Sequence, residues 1–344
     1  MSYLAGKIVI EVRAGAPNNG KGEGILAPVK QTRVGRDTYP YVSAQSWRRW
    51  LRDTLALTAA ASPVTRSGSG KHQQAYTAGE PYRYLDDDLF GFMRAVKDQE
   101  TQRDTVIATG TLMAVAPTRP TEDFGTMSRG MAADERPVLH GHEFYTADLA
   151  ADLLIDAPSV GTFSLGGNGV RTNLLDAQAD EARRLGAADV EFRGVPAVRL
   201  PVEERRERLA VLLEALAALR GGAKHAAHYG DRTPAWLLLV PMRGGINPFG
   251  RVVSAERSAT RIDVDVLRAE LDAWADEVDG PALIGWAPGY LPDQREEATH
   301  RLAGLLTDGR AVIGHPRRVL RDAAEQLRNG ALDHWLSDPL PARP

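Results

Sequence analysis

Cysteine is absent from all 344 residues, which excludes disulfides, thiol nucleophiles and cysteine-built zinc sites. Long apolar runs are absent too: none approaches the roughly 18 to 20 residues that a membrane span needs. The opening Met1–Lys7 has no basic segment followed by an apolar stretch, so no secretory signal is expected. Aromatic residues make up only 6% of the chain, and neither charge dominates, with 42 Lys and Arg against 45 Asp and Glu. These absences lead us to expect a soluble cytoplasmic protein with no membrane partner.

The net charge of −3 hides a division. Residues 1–84 carry +7 and the remaining 260 carry −10. Such asymmetry marks a local basic surface, and the local field governs attraction of a polyanion. At its centre stands Tyr39-Pro-Tyr-Val-Ser-Ala-Gln-Ser-Trp-Arg-Arg-Trp-Leu-Arg-Asp-Thr-Leu55. Pro40 favours an extended lead-in, and Ser43 is a good N-cap. Trp47, Trp50, Leu51 and Leu55 then recur at helical spacing as one apolar face, with Arg48, Arg49 and Arg52 mainly off it. The start of such a helix offers unpaired N–H groups to a phosphate.

Around this helix the chain reads as alternating elements. Lys7–Arg13 is a strand, rich in β-branched residues. Ala14–Gly24 is a Gly/Asn-rich turn. A short strand near Gly24–Pro28 leads through Lys30, Arg33 and Arg36 to the basic helix. Residues 59–84 have loop composition. Asp86–Met93 opens with acids suited to a helix start, Thr105–Val115 is strand-like, and Thr118–Pro137 is a polar insertion. Core sequence resumes at Glu143–Ile155, and a polar excursion follows from Gly166 to Arg199. Leu209, Leu212, Leu213, Leu216 and Leu219 predict a long helix stopped by Gly221-Gly222. Ala235–Val240 is a central strand, Ala282–Trp286 another, and helices are expected near Arg295–Leu306 and Val319–Leu327. This plan fits an α+β fold, an elaborated ferredoxin-like (RRM-like) core bearing insertions.

Enzymatic signatures are weak. Gly20–Gly24 and Gly68–Lys71 lack the P-loop spacing, and His72 rather than Ser or Thr follows Lys71. His140-Gly-His142 and His225-Ala-Ala-His228 lack the further ligands of a metal site. Ser128 and Ser164 sit in no nucleophile elbow. No cofactor and no metal are expected.

Pro40-Tyr-Val-Ser-Ala-Gln-Ser-Trp-Arg-Arg-Trp-Leu-Arg52 resembles the "VSxQSxRRxxR" signature of the Cascade backbone subunit of type I CRISPR systems, the Cas-seven family. The resemblance is best to its DevR-like branch in type I-B systems. Asn18-Asn-Gly20, Asp88-Leu-Phe-Gly-Phe-Met93, Ser159–Phe163, Gly221–His225 and Gly245-Ile-Asn-Pro-Phe249 match in the same order, so the resemblance spans roughly residues 7–250. Val115–Arg129 departs from the family's "SPLRVS"-like segment, and little matches beyond Arg251.

The resemblance implies a non-catalytic subunit that polymerises along CRISPR RNA, a palm with fingers and thumb insertions. The protein would grip the guide's backbone while base pairing reads target DNA. Implied partners are CRISPR RNA, further copies of the chain, a guide-processing endonuclease, and large and small subunits. Asn18, Asn19, Lys21, Lys30, Arg33, Ser43, Gln45, Arg48, Arg49, Arg52, Lys224 and His225 are the expected RNA contacts. The whole of 1–344 would be one domain, with fingers within about 59–137, a thumb within about 166–199 and a C-terminal palm extension over 251–344. Two other readings stand beside this one. Asp37 occupies the region where related type III backbone subunits carry an RNA-cleaving aspartate. A monomeric RRM-type RNA-binding protein is the other.

Overall fold

The computed structural model describes residues 2–22, 24–55, 59–68, 73–96, 99–127, 130 and 138–337. Six elements form its core: β1 (Tyr3–Gly15), α1 (Ala44–Leu55), β2 (Leu112–Ala114), β3 (Val138–Asp156), α2 (Val202–Ala217) and β4 (Trp236–Met242). Their strands lie in the order β4-β1-β3-β2, each antiparallel to its neighbour. This is the ferredoxin-like arrangement, and the chain has an elaborated ferredoxin-like α+β fold. A hairpin of Gln31–Val34 and Asp37–Val42 widens the sheet beyond β2. On the other side β5 (Ala282–Trp286) joins β4, and β6 (Ala311–Gly314) runs parallel to β5.

Alternation along β1 explains how both faces are covered. Leu4, Ile8, Ile10 and Val12 point to the helical layer of α1, α2 and α3 (Pro316–Arg328). Ala5 and Val9 point the other way, into a second core of Trp236, Leu238, Val240, Phe249, Leu267 and Ile284. Residues 252–311, which lie beyond the last matching motif, therefore help cover the sheet face that a bare RRM leaves open. Every side chain of β4 is buried, which accounts for its unbroken apolar sequence Trp-Leu-Leu-Leu-Val-Pro-Met.

Residues 162–199 make a separate four-stranded sheet with a helix, Asp176–Arg184. Its small core of Phe163, Leu174, Ala179, Val198 and Leu200 also takes in Tyr82. Asp88, fully buried, ties this body to α2: its carboxylate accepts from Arg103, from Arg208 Nη1 at 2.8 Å and from the Gly161 amide at 3.0 Å. The outer part of β3 leaves the main sheet and pairs with Thr121–Met127 and Leu26–Ala27. Ile25, Phe124, Met127, Val138 and Leu139 on this arm are each more than half exposed.

Several sequence expectations shift in detail. The strand expected over Thr105–Val115 is two strands, Ile107–Thr109 and β2, separated where the Gly110 carbonyl accepts the Trp47 indole N–H at 2.8 Å. Arg33 and Arg36 lie on the Gln31–Val42 hairpin rather than on a plain connection, because the alternating Thr-Tyr-Pro-Tyr-Val run pairs back on Gln31–Val34. The helix expected near Arg295–Leu306 divides into Pro292–Arg301 and Ala303–Thr307. Ser69–His72, Ser128 and residues 131–137 lie outside the described residues. Among the described residues no helix is long and apolar enough to cross a membrane.

Candidate nucleic-acid interface

The start of α1 is fixed from below. Trp47 and Leu51 are fully buried and Trp50 nearly so. Burial of such side chains stabilises by about 1.5–3 kcal/mol each. The Trp50 ring lies under Gly221, where a Cβ would come 2.5 Å from its Cγ, so only glycine allows the loop after α2 to cross there. The Ala223 amide then donates to the Pro17 carbonyl at 2.8 Å, joining this loop to the one after β1. Three segments far apart in sequence thus meet: Pro17–Lys21, the start of α1, and Gly221–Tyr229.

Asn18 and Ser43 form the knot between the first two. Asn18 is 8% exposed; its Oδ1 accepts from Ser46 Oγ at 3.2 Å, and Ser46 Oγ also meets Ser43 Oγ at 2.9 Å. The Ser43 carbonyl takes the amides of Ser46 and Trp47. Ala44 and Gln45, in the first turn, have no intrahelical acceptor. Gln45 is exposed beside them, and Arg48, half-buried, makes no ion pair among the described residues. Arg49 is held by Asp53 at 2.6 Å. Arg52 lies 4.9 Å from the Phe90 ring centre and 4.0 Å from Asp86, whose carboxyl burial pushes up in pKa. The three arginines are therefore not equivalent: two lean on the protein and Arg48 does not.

Lys30 joins the site through its amide, which donates to the Asn18 carbonyl at 2.9 Å. Asn19 bridges to Val29, and Lys21 is exposed at the rim. Arg33 is exposed on the outermost strand, opposite Thr38 and near the tip of its hairpin. Asp37 starts the returning strand Asp37–Val42, so about 17 Å of extended chain separates it from α1. It is brought to the hairpin tip, not to the helix start.

Lys224 adopts a left-handed backbone (φ +50°), and its carbonyl accepts from the amides of Ala227 and His228. Burial lowers the pKa of its ammonium. His225 is exposed and meets Tyr229 edge-on at 5.0 Å. His228 packs 4.8 Å from His142 and 5.4 Å from Phe144, so the two histidine pairs of the sequence do converge. Among the described residues no group of three or more His, Asp or Glu could hold a metal ion. Burial, with Lys224 and His228 adding to it, lowers the pKa of His142; Asp123 opposes at 3.5 Å.

Three residues of this locus are marked by no sequence pattern: Tyr145, Tyr229 and Arg232. Tyr229 is 81% exposed, the most open large side chain of the loop. Arg232, by contrast, is 3% exposed. In the sequence both read as ordinary loop residues, and only the convergence of the loops distinguishes them.

No family model matches the chain, and no curated protein matches it in sequence. Among the solved chains similar in fold, two serve for comparison. One, described as "CRISPR RNA-guided surveillance complex", has a TM-score of 0.57 at 12% identity, with 94% of this chain and 98% of that one covered. The other, described as "CRISPR RNA-guided surveillance complex, pre-nicking", has the same TM-score and identity, with 94% and 100% covered. The likeness is end to end and is one of fold.

Proposed function

We propose that this chain is a CRISPR RNA-binding backbone subunit of a type I surveillance complex, of the I-B kind, and that it has no catalytic chemistry of its own. The observation that carries this reading is that the loops bearing Lys21, Lys30, Lys224 and His225 are joined to one another and to the start of α1, which bears Gln45 and Arg48. Such a surface suits a phosphate backbone gripped without reading bases. The end-to-end likeness to chains of RNA-guided surveillance complexes supports it. In this reading successive copies share one guide with an endonuclease and with large and small subunits, and target DNA enters by pairing.

Between copies, we assign the reaching element to the arm of Thr121–Met127 and outer β3 rather than to 166–199. The 162–199 body is packed on Tyr82 and tied down through Asp88, whereas the arm exposes Phe124, Met127, Val138 and Leu139. The covered face of β1 and β4 argues against a monomeric RRM mode of binding. The distance of Asp37 from the helix start argues against cleavage there.

Native mass spectrometry with single-stranded RNAs of increasing length tests the reading. Copy number should rise with RNA length, and one copy at every length would overturn it. Arg48→Ala with Arg33→Ala should keep the melting temperature and weaken RNA binding. The slope of log affinity against log salt should fall by about 0.7 for each phosphate that the variant leaves unneutralised. Target RNA cut in the assembled complex, and spared in Asp37→Ala, would replace the non-catalytic assignment.

A further inference from the structure

Arg232 is a buried cation that the charge of Asp231 reaches only from a distance. It makes no ion pair among the described residues, and Asp231, its neighbour in sequence, spends its carboxylate on the amide and hydroxyl of Thr233. Only Nη1 has an acceptor, the Asp231 carbonyl at 2.8 Å. Nε and Nη2 are sealed from solvent with no partner, and no other side chain among the described residues leaves two nitrogens so. These two form one edge of the guanidinium, the fork that grips two oxygens of a phosphate. An unpaired buried charge costs several kcal/mol. Burial lowers the arginine's pKa, yet a guanidinium does not give up its proton in a protein.

What surrounds it is glycine. A Cβ on Gly15 would stand 3.5 Å from Nη2, one on Gly222 3.4 Å from Nε, and one on Gly230 2.7 Å from Nη1. Gly15 sits past a bulge in β1, opposite Tyr145 on β3. The Tyr145 hydroxyl, also buried, has no hydrogen-bond partner, and burial keeps it protonated by raising its pKa. Asn19 Oδ1 and His228 Nε2, on the loops either side, are unpaired as well. Of twelve such orphaned atoms among the described residues, three belong to Arg232 and Tyr145, whose charges act on each other.

We infer that Arg232 is the anchor of a phosphate-binding site, built to hold one phosphate of the RNA backbone where Pro17–Lys21 and Gly221–Tyr229 meet. The glycine wall lets the backbone lie against the guanidinium and move aside by a small shift, so that Nε and Nη2 take two phosphate oxygens and Tyr145 donates to a third. The inference rests on the RNA-binding reading and adds a residue that no motif marks.

The test compares wild type with Arg232→Leu, using guide-length single-stranded RNA and, separately, inorganic sulfate. The variant should melt at the same temperature or higher, since it removes an uncompensated charge. It should bind RNA at least about ten-fold more weakly at about 150 mM salt, with a log–log slope smaller by about 0.7. Sulfate should raise the melting temperature of wild type more than that of the variant at equal ionic strength. A variant that melts lower but binds RNA with wild-type affinity and slope would make Arg232 structural and overturn the site. If Arg232→Leu does not fold, Arg232→Gln takes its place, and lost stability with unchanged affinity is again the overturning result. RNA binding absent from wild type, with sulfate stabilisation still dependent on Arg232, would keep the anion site and remove the RNA reading. Loss of both would remove both.

Discussion

Among the described residues, buried arginines are held in opposite ways at Asp88 and at Arg232. At Asp88 every guanidinium nitrogen of Arg103 and Arg208 has an acceptor. Arg103 donates to the Asp88 carbonyl and carboxylate, the Thr162 and Ser159 carbonyls and Asn173; Arg208 reaches Asp88, Glu204 and the carbonyls of Pro81 and Tyr82. Arg232 has one acceptor. The first arrangement joins two bodies of the protein and leaves nothing for a ligand. The second holds donors in reserve beneath glycine, in the middle of the basic surface. An acceptor for every nitrogen, more than burial itself, separates a structural arginine from one that awaits an anion.

The largest test of that contrast is Asp88→Ala. It strips the shared counter-charge from two buried cations at once, and breaking a buried pair from one side costs about 3–5 kcal/mol. Urea unfolding should show a loss of that size, while the molecules that remain folded bind RNA as before. A loss below about 1 kcal/mol would mean that the carbonyls, Asn173 and Glu204 suffice to carry Arg103 and Arg208 without Asp88, and the contrast with Arg232 would collapse. The Asp88-Leu-Phe-Gly motif thereby acquires a physical reason. Asp88 is the hub, and Gly91 (φ +69°) lies where any Cβ would collide with the Arg103 carbonyl.

The same contrast shows where sequence reading stops. Trp47, Trp50, Leu51 and Leu55 announce a buried helix face because helical spacing repeats along one short segment. The strand of β1 and the leucines of α2 are legible for the same local reason, but α2 ends at Ala217, short of Arg220 and of the Gly221-Gly222 pair expected to stop it. The arginines of α1 look alike in sequence, but Asp53, Phe90 and Asp86 occupy two of them and spare Arg48. Asn18 reads as a polar loop residue open to RNA, and it is buried as the link from β1 to α1. Arg232 depends on Gly15, Tyr145 and Gly222, which are brought together only when β1, β3 and the loop after α2 assemble. Partnership of this kind is a property of tertiary packing, and no local pattern encodes it.

A smaller effect probes the wall itself. Gly222 has φ +110°, and a Cβ there would press on Pro17 at 3.3 Å as well as on Arg232. Gly222→Ala should cost about 1–3 kcal/mol through backbone strain. It should also weaken RNA binding per folded molecule, because a methyl group then stands between phosphate and guanidinium. A variant that loses stability and keeps full RNA affinity would place the phosphate on another side of Arg232.

The smallest effect concerns protons. His142 lies three residues before Tyr145 on β3, among His140, His228, Lys224 and Asp123, and its folded pKa is below the ordinary 6.5. With a depressed pKa in the native state, the unfolded chain binds the proton first. The contribution of His142 to stability is complete above about pH 6.5 and declines as pH falls through that value. RNA should reverse the preference, because a nearby phosphate favours imidazolium. Between about pH 7.5 and 5.5 the free protein should therefore melt lower, while its RNA affinity rises by a few fold. His142→Phe should flatten both trends. If affinity stays constant across that range in wild type, His142 lies outside the phosphate track, and the reserve of positive charge narrows to Arg232 and Lys224.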